Sequence, residues 1–197
     1  MEGYEEDDDD FDYPDDVPIS EETFQQIQDS FRRFYMDADV PKEVRRQVLE
    51  ASVRAPQKWH QDAIRAAYVS GDESWRLTSV FCMRFVGGFD DKILEAMESE
   101  NEDIHYEAVC AAGNWELDAA WTHIVELATA EETDKDLRLA AIDALPGIRP
   151  HEAAAILVDL TDSDDEDIAE AAFEAMGMAE GFSDDDDEEE DEDDKFH

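Results

Sequence analysis

The strongest constraint on the fold is an apolar helical pattern that recurs about every thirty residues. In residues 135–147, apolar side chains recur at the i, i+3, i+4, i+7, i+8 spacing of a single helix face. Similar stretches begin near residues 73, 102 and 166. Their apolar anchors are separated by 31, 29, 33 and 31 residues and are Val44, Trp75, Ile104, Leu137 and Ile168. A fixed period in this range predicts an array of helical repeats.

Helix-breaking residues divide the array into pairs of helices. Ser20 is a good N-cap and predicts the start of a first helix that has no repeat partner and caps the array. Later breaks are predicted at Pro56, Gly87-Gly88, Gly113-Asn114, Pro146-Gly147 and Pro150. Pro146-Gly147 should close the first helix of its unit. No segment alternates apolar and polar residues as a strand does. We therefore expect an all-α fold with about five two-helix repeats.

Two acidic segments flank this array. Residues 1–18 hold ten acids and no Lys or Arg, and residues 183–197 hold eleven acids and one Lys. Segments of this composition cannot bury enough apolar surface to offset the entropy of ordering, so both are predicted to be disordered tails around a domain at 19–182. Alternatively, the first segment docks onto a basic apolar groove through aromatic anchors. Those anchors would be Tyr4, Phe11 and Tyr13.

The charge is extreme and unevenly distributed. The formal net charge is −42. Residues 19–92 hold 12 acids and 11 bases, whereas residues 93–182 hold 24 acids and 3 bases. Nucleic acids and anionic membranes would be repelled by such a protein, so neither is expected as a direct ligand. A protein partner with a basic surface is the better match, because opposite charge accelerates association.

Location is predicted from the start of the chain and from its cysteines. No apolar run approaches the length that spans a bilayer, and the acidic first residues are unlike a signal peptide. Cys82 and Cys110 lie in predicted helix interiors without metal-ligand spacing, as expected of packing residues in a reducing compartment. We therefore expect a cytoplasmic protein.

The two-helix unit resembles a HEAT repeat, and more narrowly the short bacterial HEAT-like repeats also found in phycobilin lyases. In the third unit, Asp103-Ile104 opens the first helix, Ala108, Ala111 and Ala112 pack it, and Gly113 ends it. His105 and Ala169 depart from the pattern, since Arg76 and Arg138 occupy the equivalent position in other units. The resemblance covers roughly residues 40–180. It implies a bacterial source and an α-solenoid, or superhelix, with second helices on a concave layer that usually serves as the docking surface.

Few residues suggest chemistry. Some HEAT-repeat hydroxylases bind iron through several His-Glu dyads, but His151-Glu152 is the only adjacent pair in this sequence and is better explained as a helix start. No nucleophile–base pattern, phosphate-binding glycine loop or Cys-x-x-Cys motif occurs. We therefore predict no catalytic residue, no metal ligand and no cofactor, and a protein that is not an enzyme.

Five residues are the predicted partner-binding set. Trp59 follows Lys58 at the start of a second helix, and an amphipathic Trp beside a cation is a plausible binding anchor. The other three lie on second helices of the acidic half and are His123, Glu126 and Asp159.

Taken together, these features predict a non-catalytic interaction scaffold, monomeric, that binds a basic protein through its concave face and acidic surface. An enzyme accessory that handles a chromophore, as phycobilin lyases do, is the alternative. That alternative requires basic residues facing an aromatic-lined cleft, which only the region around residues 54–65 offers. A weaker hypothesis is nucleic-acid mimicry, which needs a fixed, phosphate-like spacing of carboxylates.

Overall fold

A computed structural model of the protein describes residues 19–186, with side chains as far as Ala179. This part of the chain contains ten α-helices, a 3-10 turn at Asp118–Ala120, and no β-strand. The helices are α1 (Glu21–Met36), α2 (Lys42–Ser52), α3 (Lys58–Tyr68), α4 (Glu73–Met83), α5 (Asp90–Met97), α6 (Glu102–Asn114), α7 (Trp121–Thr129), α8 (Lys135–Ile148), α9 (Pro150–Leu160) and α10 (Glu166–Asp186).

The helices form two layers, as the sequence predicted. The first helices of the repeats pack side by side in chain order, α2 on α4, α4 on α6, α6 on α8 and α8 on α10. The second helices α3, α5, α7 and α9 each pack against the first helix that follows them. The extra helix α1 packs on α2 at one end. The fold is therefore an α-solenoid, in which each repeat buries its apolar face against its neighbours.

Side-chain caps set where the first helices begin. Asp72, Asn101 and Asp134 each accept a backbone N–H from the first turn of α4, α6 and α8, respectively. At three steps of the array, the opening residue of one first helix also contacts the capping position of the next. These contacts are Lys42 to Asp72 at 3.0 Å, Asn101 to Glu73 at 2.9 Å and Lys135 to Asp165 at 2.9 Å. They fix the register of neighbouring repeats.

Of the two breaks predicted in the fourth unit, the one at Pro146-Gly147 is wrong and the one at Pro150 is confirmed, since α9 begins there. α8 continues through both residues to Ile148, and Pro146 is buried within its last turn. A proline near the end of a helix forfeits only one backbone hydrogen bond, and the next helix starts two residues after Ile148, at Pro150. Gly147 serves packing instead, since an added Cβ would lie 3.1 Å from the carbonyl oxygen of Gly113 on α6.

The last helix reaches further than the sequence suggested. α10 runs to Asp186, four residues into the segment predicted as the C-terminal tail. The remainder of that segment, and the predicted tail at residues 1–18, lie outside the described residues.

The core consists largely of small side chains where first helices meet. The buried alanines of this layer include Ala108, Ala111, Ala112, Ala140, Ala141, Ala144, Ala172 and Ala175. At one close approach between α6 and α8, a Cβ built on Gly113 would lie 2.7 Å from the Cβ of Ala144. Larger side chains at this contact would separate the helices, so this step requires glycine and alanine.

We expect Gly113→Ala to destabilise the protein by about 1–3 kcal/mol, because the new methyl group overpacks the contact between α6 and α8. Thermal unfolding followed by circular dichroism measures the effect. Gly177→Ala is the matched control: it also lies within a helix, but its added Cβ has open space around it. The control should raise stability by roughly 0.5–1 kcal/mol through helix propensity alone. Equal unfolding midpoints for the two variants would contradict the close contact.

Candidate functional site

The acidic half of the array presents negative charge that its own cations do not neutralise. Residues 93–182 contain only three basic residues, and each is engaged within the fold. Lys135 pairs with Asp165 and Asp167. Arg138 donates to the carbonyl oxygen of Ala128 at 2.9 Å. The third, Arg149, pairs with Asp118 at 2.7 Å and lies over the Trp121 ring. The remaining carboxylates therefore dominate the potential of this surface.

Two of the predicted binding residues are exposed carboxylates on second helices. Glu126 lies in the C-terminal half of α7, and Asp159 is the penultimate residue of α9. Within the described residues, neither side chain forms a hydrogen bond or an ion pair. An acidic residue near a helix C-terminus meets the negative end of the helix dipole, so neither position favours stability. Both carboxylates are free to contact a partner.

A second acidic surface is a groove of about 820 Å³ between α6 and α8, which the sequence analysis did not anticipate. Its carboxylates are Glu100, Glu102, Asp103, Glu107, Asp134, Asp136 and Asp143. Most of them stand in or next to the first turns of α6 and α8, where they complement the helix dipoles. Acidic residues are common at helix starts for this reason, so their presence in the sequence does not reveal that they share one groove.

Within that groove, Glu107 is a partly buried carboxylate. Its side chain accepts a hydrogen bond at 3.1 Å from Arg84, which directly follows α4. Burial raises the pKa of Glu107, and the guanidinium of Arg84 opposes this shift. This ion pair joins successive first helices and is structural.

The other predicted pair lies at the opposite end of the array. Lys58 is exposed in the first turn of α3. Trp59 is half-buried, with its ring 5.2 Å from that of Tyr35 on α1 and 4.0 Å from that of His60. Most of its contacts are therefore within the fold, and the cation beside it is the more accessible member of the pair.

His60 is a buried residue whose role the sequence did not reveal. Its Nδ1 accepts the backbone N–H of Gln57 at 2.7 Å, which leaves Nε2 protonated and able to donate to Ser52 Oγ at 2.9 Å. The Ser52 hydroxyl in turn donates to the carbonyl oxygen of Leu49. Burial lowers the pKa of His60. The imidazole is neutral, fully hydrogen-bonded, and holds α2 against the start of α3.

His123 pairs with the histidine that departs from the repeat pattern. Its Nε2 lies 3.1 Å from Nε2 of His105 on α6, and its Nδ1 lies 3.7 Å from a carboxylate oxygen of Glu98. Arginine fills the equivalent position in other repeats, where Arg45 and Arg138 each donate to a carbonyl oxygen near the end of the preceding helix. His105 contacts the following helix instead. The replacement of arginine by His105, which is visible in the sequence, therefore coincides with a different hydrogen-bonding partner.

None of the helices within residues 19–186 combines the length and apolar composition that crossing a bilayer requires. In the same part of the chain, His, Cys, Asp and Glu nowhere form a group of three or more that could hold a metal ion. Cys82 is buried and Cys110 is half-buried, both with free thiols.

Comparison with known families matches residues 91–177 to the family model of HEAT repeats. The match runs from the start of α5 into α10, and the helices before it pack in the same two-layer manner. None of the curated proteins matches the chain.

The histidine pair predicts a pH dependence of stability. Burial, and next the neighbouring His123, lower the pKa of His105, while Glu98 opposes the shift. The unfolded chain therefore binds this proton more readily than the folded one, so stability falls as the pH is lowered through about 6.5. When the pH is lowered from 7.5 to 6.0, the thermal midpoint of the unmodified protein should fall. The midpoint of His105→Gln should fall less, and the two decreases should differ by on the order of a few degrees.

The control for this measurement is His151→Gln, which changes an exposed histidine that forms no side-chain hydrogen bond in the described part of the chain. Its slope is the reference against which that of His105→Gln is compared. Restricting the range to pH 6.0 and above keeps the many carboxylates ionised, so their titration does not mask the result. An unaltered slope in His105→Gln would show that this pair does not couple proton binding to folding.

Proposed function

The chain is a HEAT-repeat protein, and on that premise we propose that it is a non-catalytic scaffold that binds a basic protein partner. HEAT repeats are commonly protein-interaction scaffolds, and their family is typically non-catalytic. The observation that carries the proposal is the uncompensated charge of the second half. Its 24 acids face three bases, all engaged inside the fold. A basic surface approaching this half meets an attractive field, which accelerates association.

Within this half, the second-helix carboxylates Glu126 and Asp159 are the proposed contact residues. They are exposed and unpaired, at positions where an acid does not stabilise its own helix. The carboxylates of the α6/α8 groove differ, because most of them complement the helix starts. We therefore assign the groove mainly to folding, and the second helices to the partner. His123, on the same helix as Glu126, lies at the edge of the proposed surface.

Lys58 and Trp59 remain a separate proposed contact at the near-neutral end. Lys58 is accessible, and Trp59 exposes only part of its ring. A partner that spans the array would contact both ends. Its acidic residues would face Lys58 while its basic residues face the second half.

A second candidate function, the handling of a small anionic aromatic ligand, is favoured by one cleft. This cleft, of about 620 Å³, lies between α3 and the start of α5. Tyr68 and Phe89 line it together with two cations, Arg65 and Lys92, and two carboxylates, Asp90 and Asp91. Each cation lies 5.4 Å from the centre of one of these rings, Arg65 over Phe89 and Lys92 over Tyr68. Basic groups around an aromatic floor are what the chromophore hypothesis requires. A coloured or ultraviolet-absorbing ligand that copurifies and is lost in Arg65→Glu would support it.

The scaffold proposal predicts that the double variant Glu126→Lys/Asp159→Lys associates several-fold more slowly with its partner and shows a flatter salt dependence. The partner is first recovered from a lysate on the immobilised full chain at low salt. It is then identified and purified for stopped-flow or surface-plasmon measurements. Because a lysine near a helix C-terminus interacts favourably with the dipole, the variant should unfold at the same temperature or higher.

Asp29→Lys/Asp62→Lys is the control with the same change in net charge, placed on exposed positions of the near-neutral half. It should alter association much less. Asp103→Lys/Asp136→Lys tests the α6/α8 groove and should mainly lower stability. If Glu126→Lys/Asp159→Lys leaves binding unaltered but Lys58→Glu abolishes it, the docking surface lies at the other end of the array. The proposed face would then be wrong.

A further inference from the structure

The first end of the array carries an open apolar groove between α1 and α2. The groove has a volume of about 590 Å³. Its apolar walls are Ile27, Phe31 and Phe34 of α1 and Val44 and Val48 of α2. Phe34 is 46% exposed, Val44 43% and Ile27 38%. Thr23, Gln26 and Ser30 supply uncharged polar atoms to the same groove.

This end of the protein is unusually apolar for the end of a repeat array. Half of the large hydrophobic side chains that are exposed in the described residues fall within residues 19–44. They are Ile19, Phe24, Ile27, Phe34, Met36 and Val44. Terminal repeats normally present a polar outer face, because no further repeat covers them. A contiguous apolar surface of this kind marks a contact with another segment.

We propose that residues 1–18 of the same chain pack into this groove, anchored by Phe11 and Tyr13. This segment joins α1 through Ile19, so it enters at one end of the groove. The walls run from Thr23 to Phe34, which is about 16 Å along a helix. About five extended residues span that distance, and seven residues lie between Phe11 and Ile19 but only five between Tyr13 and Ile19. Phe11 can therefore reach the far end of the groove at Phe34, and Tyr13 can reach the part nearer to Ile19.

The chemistry of the segment matches that of the groove. Phe11, Tyr13 and Val17 are its apolar side chains nearest to α1. The run Asp7–Asp10 precedes them, and the exposed Arg33 lies beside the groove with its guanidinium 5.6 Å from the Phe34 ring. An acidic segment also meets less repulsion here than elsewhere, since residues 19–92 hold nearly equal numbers of acids and bases.

A second copy of the chain is a poorer occupant. Each copy carries a formal charge of −42, so pairing two of them works against strong repulsion. The tethered segment faces no such obstacle. Its short link to α1 gives it an effective concentration on the order of millimolar at the groove. The inference is independent of the partner proposed for the acidic half.

The test uses the full chain and the variant Phe11→Ser/Tyr13→Ser, whose substitutions lie outside the described fold. Hydrogen–deuterium exchange of the α1 amides should become at least about threefold faster in this variant, because α1 loses its cover. Phe196→Ser removes an aromatic side chain from the opposite terminal segment and should leave exchange in α1 unaltered. Sedimentation analysis of every sample records the oligomeric state.

A double-mutant cycle tests the groove itself. Val44→Asp places a carboxylate on an exposed wall position in the first turn of α2, where an acid is favourable for the helix. It should accelerate exchange in α1 by a similar factor, and combining it with Phe11→Ser/Tyr13→Ser should add little, since both remove one contact. Additive effects, or unaltered exchange in Phe11→Ser/Tyr13→Ser, would overturn the proposal. Protection that depends on protein concentration and accompanies a dimer would assign the groove to a second copy instead.

Discussion

Close packing between successive first helices is the constraint on which the rest of this structure depends. A two-helix unit cannot bury its apolar face alone, so each repeat is stable only when it approaches its neighbour closely. Alanine and glycine make that approach possible, as the contact of Gly113 with Ala144 shows. Once this layer is fixed, the second helices and their exposed carboxylates take defined positions along the array. The near-neutral half and the acidic half of the sequence therefore lie in different parts of the array.

Much of the fold could be predicted from the sequence, because periodic apolar residues and capping side chains act locally. The repeat period located all five first helices, and Ser20 marked the start of α1. The failure at Pro146 has a physical reason, since a proline in a last turn costs little and the adjacent Gly147 serves a distant contact with α6. Local rules treat both residues as breakers. Only the packing of the two helices shows their role.

The candidate site was less predictable, because its features depend on which side chains meet across repeats. The bonds of His60 to Gln57 and Ser52 require a specific loop geometry, and no spacing rule reports it. The sequence does indicate that His105 is unusual, because other units have arginine at the equivalent position. The sequence did not identify its partner. The α6/α8 groove was not predicted for a different reason, since most of its carboxylates belong to helix starts, and that local role accounts for their presence in the sequence.

The contact between α6 and α8 is uneven along its length, and this has a mechanical consequence. At one end, Gly113 and Ala144 touch, whereas at the other end Glu102 faces the capping region of α8 without the bridging contact that the neighbouring steps possess. Like charges therefore face each other at the end that lacks a bridge, and dissolved salt weakens their repulsion. The close packing of Gly113 against Ala144 must hold this step together against that repulsion.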